Sequence, residues 1–182
     1  MFLEQYQKDF FSLIQDIDSV SLIEVAKKLQ DVSRRGGNIF VVGNGGSAGI
    51  ASHVAVDLSK AAGLRATTFH DSGLITCFAN DYGYENWIGE AVVKYCDAKD
   101  ALICISSSGN SLNILNGARA ASSLGCGIIS LSGFAADNLL RSEAKSHWDH
   151  FYVASSRYNH VEMVHQYILL TMCDWIVNEK TS

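Results

Sequence analysis

The sequence contains no proline and no pair of cysteines at CxxC spacing. Without proline, helices and turns have to begin and end on glycine, serine, asparagine or aspartate. The cysteines are odd in number, and three of them lie in apolar runs, which favours buried free thiols over a disulfide set or a cysteine-rich zinc cluster. The five are Cys77, Cys96, Cys104, Cys126 and Cys173.

Long apolar segments and clusters of positive charge are also missing. No run approaches the roughly 18 apolar residues that a membrane-spanning helix needs. The amino-terminal stretch MFLEQYQKDFFSLIQDID carries acidic side chains within its apolar part, unlike a secretory signal. The formal net charge is −5, and the only adjacent basic pairs are Lys27-Lys28 and Arg34-Arg35. We therefore expect a cytoplasmic protein that binds neither a membrane nor nucleic acid.

The chain does contain a repeated alternation of strand-like and helix-like segments. Its 182 residues are 48% apolar and 18% charged, which suits one globular domain. Residues 1–36 predict a helical hairpin, and residues 37–182 predict an α/β core. Five apolar runs predict buried strands, namely NIFVVG (38–43), ATTFH (66–70), ALICI (101–105), GIISLSG (127–133) and HFYVAS (150–155).

This alternation favours a five-stranded parallel sheet flanked by helices on both faces, with the layering of flavodoxin-like and Rossmann-like folds. Helices are expected between the strands and from Asn159 to about Glu179. In open parallel sheets, ligands bind beyond the carboxyl ends of the strands, where helix N-termini favour anions. The loops that follow the strands are therefore the first places to look for a functional site.

Two strand ends carry polar residues that suit such a site, VVGNGGSAG (41–49) and CISSSGNS (104–111). The second has four hydroxyls and no lysine or arginine. Hydroxyls and backbone N–H groups can together surround a phosphate, and Gly109 allows close approach of the backbone. This predicts that Ser106, Ser107, Ser108 and Ser111 bind phosphate. The alternative is that the serines only cap the next helix, because serine is a preferred N-cap residue.

Two other phosphate-binding signatures fit less well. The lysine P-loop GxxxxGK[ST] is absent. Gly43, Gly45 and Ala48 match the dinucleotide pattern GxGxxA, and Asp71 follows the next strand. That pattern is short and leaves the serine-rich loop unexplained, so a nucleotide-dependent oxidoreductase is a weaker alternative.

Three ordered motifs, GNGGSA (43–48), ANDYGYEN (79–86) and ISSSGNSLNI (105–114), make the chain resemble the sugar isomerase (SIS) domain family. The resemblance is closest to the phosphoheptose isomerases, and a related branch associates with the bacterial replication initiator. It implies conversion of a ketose phosphate to an aldose phosphate, a homotetramer with sites between subunits, and a zinc ion in the heptose branch.

The resemblance also implies roles for individual residues. The four serines bind the substrate phosphate, the loop residues Asn44, Gly45 and Ser47 line the site, and Asp81 holds sugar hydroxyls. His53, Asp57 and Glu162 fall on the family's metal ligands, and Asp57 also falls on its base. Catalytic roles are therefore expected for Asp57 and Glu162, and the residues themselves add His165 as a candidate for proton transfer.

The spacing of these residues supports a site independently of the resemblance. His53 and Asp57 are four residues apart on one predicted helix, and Glu162 and His165 are three apart on the last one. One imidazole and two carboxylates suit a zinc ion with an open position, which would stabilise an enediolate while a base moves the proton. The alternative for His165 is a structural histidine on a packed helix.

The sequence departs from the family pattern in the last helix. Leu170 stands where the isomerases carry a second histidine, Asn159-His160 replaces an Asp-Arg pair, and Asp57 replaces a glutamate. Glu162 could compensate by adding charge to the metal site, and His160 or His165 could transfer the proton if the helix orients it inward.

The main prediction is thus a phosphosugar isomerase acting on sedoheptulose 7-phosphate. The alternative is a non-catalytic phosphosugar sensor, or a scaffold such as a replication-initiator-associating protein.

Overall fold

The computed structural model describes residues 1–144 and 148–181. In this part of the chain the helices are α1 Phe2–Gln15, α2 Ser19–Arg34, α3 Gly46–Lys60, α4 Ser72–Tyr82, α5 Trp87–Tyr95, α6 Leu112–Ser123, α7 Leu139–Glu143 and α8 Tyr158–Thr181. The strands are β1 Ile39–Gly43, β2 Ala66–Thr67, β3 Ala101–Ser106, β4 Gly127–Ser132 and β5 Asp149–Tyr152. Across the described residues, no helix is long and apolar enough to cross a lipid bilayer.

The strands form one parallel sheet in the order β2-β1-β3-β4-β5, which confirms the predicted fold class. Every residue of β1 and β3 is buried, which explains why these strands are continuous apolar runs without alternation. From β1 the chain passes outward to β2 and then returns to β3 on the other side of β1. The strand order therefore reverses between β1 and β3, and ligands bind at such a reversal in open α/β sheets.

Two helical layers cover the sheet. On one face, α2, α3 and α8 pack against side chains that include Val41 and Ile103. On the other face, α5 and α6 pack against side chains that include Val42 and Leu102. Because neighbouring residues of a strand point to opposite faces, each central strand contributes to both halves of the core.

The amino-terminal hairpin lies on the face of α8. Asp18 begins α2 by accepting a hydrogen bond from Val20 N at 3.0 Å, and α2 buries an apolar stripe against the core. α1 has no buried residue, and it contacts the domain through rings such as Tyr6, whose centroid is 4.1 Å from that of His160. Phe10, Leu13 and Ile14 are partly buried against the core, whereas Phe2 and Phe11 are exposed.

Two strands differ in length from the prediction. β2 has only two residues of the expected five, because Phe69 leaves the sheet edge and stacks on Phe40 with ring centroids 4.8 Å apart. β5 ends at Tyr152 rather than at Ser155. Residues 72–95, which are rich in aromatic side chains, form the two helices α4 and α5. Gly83, which has a φ of +85°, ends the first of them.

Candidate functional site

β1 ends in a glycine-rich turn that leads directly into α3. Gly45 has a φ of +54°, a left-handed conformation that favours glycine. A β-carbon on Gly43 would collide with the backbone of Ser47, so the turn is tight at both glycines. The turn places Asn44 and Ser47 at the carboxyl end of β1.

Asn44 is held by two partners from other parts of the chain. Its Nδ2 donates to Asn113 Oδ1 at 2.9 Å, and Asn113 Nδ2 donates back to Asn44 Oδ1 at 2.8 Å. The Tyr84 hydroxyl donates to the same Oδ1 at 3.1 Å. These bonds connect the loop after β1 to the first turn of α6 and to the segment before α5.

The serine-rich loop follows β3 at the neighbouring strand end. Ser106 closes the loop, because its Oγ donates to Ser111 Oγ at 3.2 Å and accepts from Gly109 N at 3.2 Å. Gly109 has a φ of +66°. Gly133 N, just after β4, donates to Ser107 O at 3.0 Å and so fixes the loop from the other side.

The N-cap serine of α6 does not use its hydroxyl as a helix cap, so capping does not explain the serine-rich loop. Ser111 occupies the N-cap position of α6 but makes no capping hydrogen bond with its side chain. Ser107 Oγ is buried and finds no hydrogen-bond partner among the described residues. Buried hydroxyls are normally paired, so an unpaired one in the loop that leads into α6 favours a ligand that supplies the missing partner.

The two loops enclose a pocket of about 130 Å³. Of the side chains that the structure describes, none in its lining is a lysine or an arginine, and one is a carboxylate. The lining consists of Asn44, Ser47, Ile105, Ser106, Ser107, Ser108, Ser111, Tyr158 and Glu162. The structure thus brings the four serines, Asn44, Ser47 and Glu162 into one site, which we term the serine pocket.

The last helix supplies two walls of the serine pocket, Tyr158 and Glu162, which lie one turn apart on the same face of α8. The Glu162 carboxylate lies against Gly46 at the start of α3, where a β-carbon would overlap it. Glu162 also lines an adjacent cavity of about 390 Å³ that extends towards Gln166. Sequence reasoning missed Tyr158, although its spacing of four residues from Glu162 was a usable signal.

His53 and Asp57 form a separate pair further along α3. His53 Nε2 is 3.3 Å from Asp57 Oδ2, and His53 Nδ1 is 3.3 Å from Gln166 Nε2. The side chains of His53 and Asp57 are 49% and 37% exposed. Neither residue lines the serine pocket.

His165 is fully buried in the core between α8 and the sheet. Within the described residues, neither of its ring nitrogens has a hydrogen-bond partner, and burial lowers its pKa to about 4. His160 is buried against the ring of Tyr6. Both are packed side chains, and neither lines the serine pocket.

Asp71, just before α4, and Asp81, within α4, do not line the serine pocket either. Asp81 is exposed, and its Oδ1 accepts from Asn80 Nδ2 at 2.9 Å. Asp71 caps α4 by accepting from Leu74 N at 3.0 Å, which gives it a structural role without a nucleotide.

A family model for the SIS domain matches residues 5–133, more than half of the chain. The chain belongs to the SIS domain family. The family resemblance predicted from the three motifs is thus confirmed.

Several relatives of this SIS domain protein are phosphoheptose isomerases. The one from Sodalis glossinidius is 31% identical over 173 residues, covering 91% of this chain and 88% of that protein. The one from Glaesserella parasuis is 34% identical over 137 residues, covering 72% and 71%. The structure of phosphoheptose isomerase GmhA from Neisseria gonorrhoeae has a TM-score of 0.85 at 26% identity, covering 97% of this chain and 99% of that one.

The expected zinc ligands of this SIS domain do not form one donor set. Zinc sites in proteins take three or four side-chain ligands. Within residues 1–144 and 148–181, no group of three or more histidine, cysteine, aspartate or glutamate side chains is arranged to hold a metal ion. His53 and Asp57 bind each other, the Glu162 carboxylate lies against Gly46, and Leu170 packs against the apolar core. The residues present therefore do not fit the ion.

Proposed function

We propose that this protein is a phosphosugar isomerase that converts sedoheptulose 7-phosphate to D-glycero-D-manno-heptose 7-phosphate. The observation that carries the proposal is the serine pocket, at the reversal of strand order. There the buried Ser107 hydroxyl, in the loop that leads into α6, has no hydrogen-bond partner among the described residues. The phosphoheptose isomerases among its relatives support the substrate class.

The phosphate group is bound by neutral donors. Hydroxyls of Ser106, Ser107, Ser108 and Ser111, together with the N–H groups that begin α6, surround its oxygens. The loop residues Asn44, Gly45 and Ser47 bind the adjoining part of the sugar. Asp81 is assigned to more distant sugar hydroxyls, which requires that the exposed face of α4 meets the substrate in the assembled protein.

Proton transfer is assigned to Glu162, because it is the one of the three expected catalytic residues that lines the serine pocket. Its carboxylate removes a proton from C1 of the ketose, the C1–C2 double bond forms, and the carbonyl electrons move onto O2. The proton then returns to C2, O1 loses its proton to become the aldehyde oxygen, and O2 gains one. Electrons move only within the substrate, so no external oxidant is needed.

Asp57 and His165 are placed outside this step. Asp57 pairs with His53, and His165 is enclosed in the core. No part of the step runs through a metal ion, since the donors in the described residues do not converge.

A homotetramer is the assembly that we propose, with α1 in its interfaces. Phe2, Leu3 and Phe11 are 70%, 71% and 61% exposed on this helix, and exposed apolar surface of this kind favours association. Light scattering of the purified protein tests this. A monomer at micromolar concentration would contradict it.

The activity test is direct observation of isomerisation. The protein is incubated with sedoheptulose 7-phosphate in D2O, and NMR follows both aldose formation and exchange of the C1 hydrogen. The variant Glu162→Gln keeps the shape of the side chain but removes the base, so turnover should fall at least a hundredfold. Glu179→Gln, at the exposed end of the same helix, is the matched control and should behave as wild type.

A second function, phosphosugar binding without catalysis, is favoured by one observation. Leu170 occupies the position of the family's second histidine and packs against the apolar core. If the wild-type protein binds the sugar phosphate in calorimetry and neither forms aldose nor exchanges hydrogen, a sensor or scaffold replaces the isomerase as our conclusion.

A further inference from the structure

Phe134 has an unusual backbone conformation next to the serine pocket. Its φ is +59°, and it is the only residue other than glycine with positive φ among the described residues. For a bulky side chain this left-handed conformation costs about 1–2 kcal/mol. Such strain persists only where the surrounding structure holds it, and it concentrates at functional sites.

The structure holds Phe134 through both of its backbone polar groups. Phe134 N donates to Ser155 O at 2.9 Å, and the Tyr152 hydroxyl donates to Phe134 O at 2.8 Å. The Tyr152 ring is in turn covered by the Arg141 guanidinium, which lies 4.1 Å from its centroid. These contacts connect Phe134, which follows β4, to Tyr152 at the end of β5 and to Ser155 beyond that strand. The turn at Phe134 is therefore fixed from two sides.

The strained turn directs the Phe134 ring onto Tyr158. The two ring centroids are 4.7 Å apart and the planes are at 76°, a favourable edge-to-face arrangement. Tyr158 lines the serine pocket and is 59% exposed. Its hydroxyl makes no hydrogen bond to any residue in the described part of the chain. A phenol oriented by a packed ring thus lines a pocket whose described lining contains no cationic side chain.

We propose that Tyr158 is a substrate-binding residue whose hydroxyl donates a hydrogen bond to the phosphate group of the bound sugar, and that Phe134 is its positioning residue. The inference rests on the proposed phosphosugar ligand but not on turnover. The phenol supplies a neutral donor from α8, in addition to those of the serine-rich loop. It also separates the phosphate from open solvent, which strengthens the hydrogen bonds inside.

The test measures binding and turnover separately. Calorimetry gives the Kd of sedoheptulose 7-phosphate and of inorganic phosphate for wild type, Tyr158→Phe and Phe134→Gly. Tyr158→Phe removes only the hydroxyl, and glycine at 134 removes the ring without adding backbone strain. Tyr167→Phe is the matched control, because Tyr167 is an exposed tyrosine of the same helix outside the serine pocket.

Tyr158→Phe should weaken both ligands about tenfold or more, as expected for loss of one hydrogen bond to a charged group. Phe134→Gly should weaken them in the same direction, and KM should rise in both variants with a smaller change in kcat. Tyr167→Phe should change nothing. A Kd for Tyr158→Phe within twofold of wild type would overturn the inference. Wild-type binding without turnover would contradict only the isomerase proposal, since the Kd comparison still decides the role of Tyr158.

Discussion

Asn138 fills the space beside Gly109, so that a β-carbon on Gly109 would overlap the Asn138 amide. Asn138 is 2% exposed, and its Nδ2 donates to Ala135 O at 2.7 Å and to Ser132 Oγ at 3.0 Å. Leu140 N donates to Gly109 O at 2.9 Å. The loop between β4 and α7 therefore packs tightly against the serine-rich loop and holds it in place before any ligand arrives, which reduces the entropy lost on binding.

Replacing Gly109 by alanine should disrupt both the fold and the binding of phosphate. The left-handed conformation costs alanine about 1–2 kcal/mol, and the overlap with Asn138 adds about 1–3 kcal/mol of overpacking. We expect a loss of roughly 2–5 kcal/mol in the free energy of unfolding by urea, and sugar-phosphate binding too weak to detect at millimolar concentration.

Gly125→Ala separates the two causes. Gly125 has a φ of +79°, but a β-carbon there meets only Ala98 Cβ at an ordinary 3.6 Å. In this variant the free energy of unfolding should fall only by the cost of the left-handed backbone conformation. Ligand binding should be normal. Equal losses in the two variants would mean that the Asn138 contact contributes nothing.

Ser107→Ala should separate binding from stability. The Ser107 hydroxyl is buried without a partner among the described residues, so its removal should leave the free energy of unfolding unchanged or raise it by about 1 kcal/mol. In the complex the same hydroxyl bonds a charged phosphate, so the Kd should rise about 10- to 100-fold. Urea unfolding and calorimetry measure the two quantities.

Ser123→Ala is the control for this variant, because Ser123 is an exposed serine at the far end of α6. It should leave the Kd unchanged. If Ser107→Ala binds as tightly as wild type, the serine pocket is not the phosphate site.

The order of the elements and the location of the serine pocket could be predicted from the sequence because both depend on local patterns. Buried parallel strands are continuous apolar runs, as in ALICI, and the polar residues just after them have to lie at one edge of the sheet. The pairing of His53 with Asp57 is equally local, since residues four apart meet on one helix face.

The remaining features depend on contacts between distant segments. The amide pair of Asn44 and Asn113 joins residues 69 positions apart and exists only in the register that β1 and β3 adopt. The Glu162 carboxylate lies against Gly46, at the start of α3, rather than beside His53 further along the same helix. The packing of α8 across α3 determines which part of α3 Glu162 contacts. Residue spacing does not show which part of α3 Glu162 contacts, so the expected set of metal ligands could not be tested before the structure.

The separation of these donors leads to a prediction about zinc. A two-residue pair holds the ion weakly, so protein equilibrated with micromolar zinc and then desalted should contain well under one zinc per chain by atomic emission. Turnover, if present, should be unchanged by a chelator. One zinc per chain, lost in His53→Ala, would show that the side chains rearrange around the ion.

Mildly acidic conditions should destabilise the fold through His165, which is buried, and His150, which is partly buried. Burial lowers the pKa of His165 from 6.5 to about 4, and burial followed by the charge of Arg141 lowers that of His150 to about 4. The native state then binds fewer protons than the unfolded state between pH 6.5 and pH 4. Stability is therefore complete above about pH 6.5 and falls as the pH drops through this range, by about 1.4 kcal/mol per pH unit for one histidine.

Urea unfolding at pH 7.5, 6 and 5 measures this slope, and His165→Leu identifies its source. Leucine does not titrate and suits a site where neither ring nitrogen of His165 has a partner in the described structure. The variant should lose much less stability than wild type between pH 6.5 and pH 5, while its stability at pH 7.5 stays close to that of wild type. Parallel curves for the two proteins would show that His165 takes up its proton as readily in the folded state as in the unfolded chain, against the burial seen here.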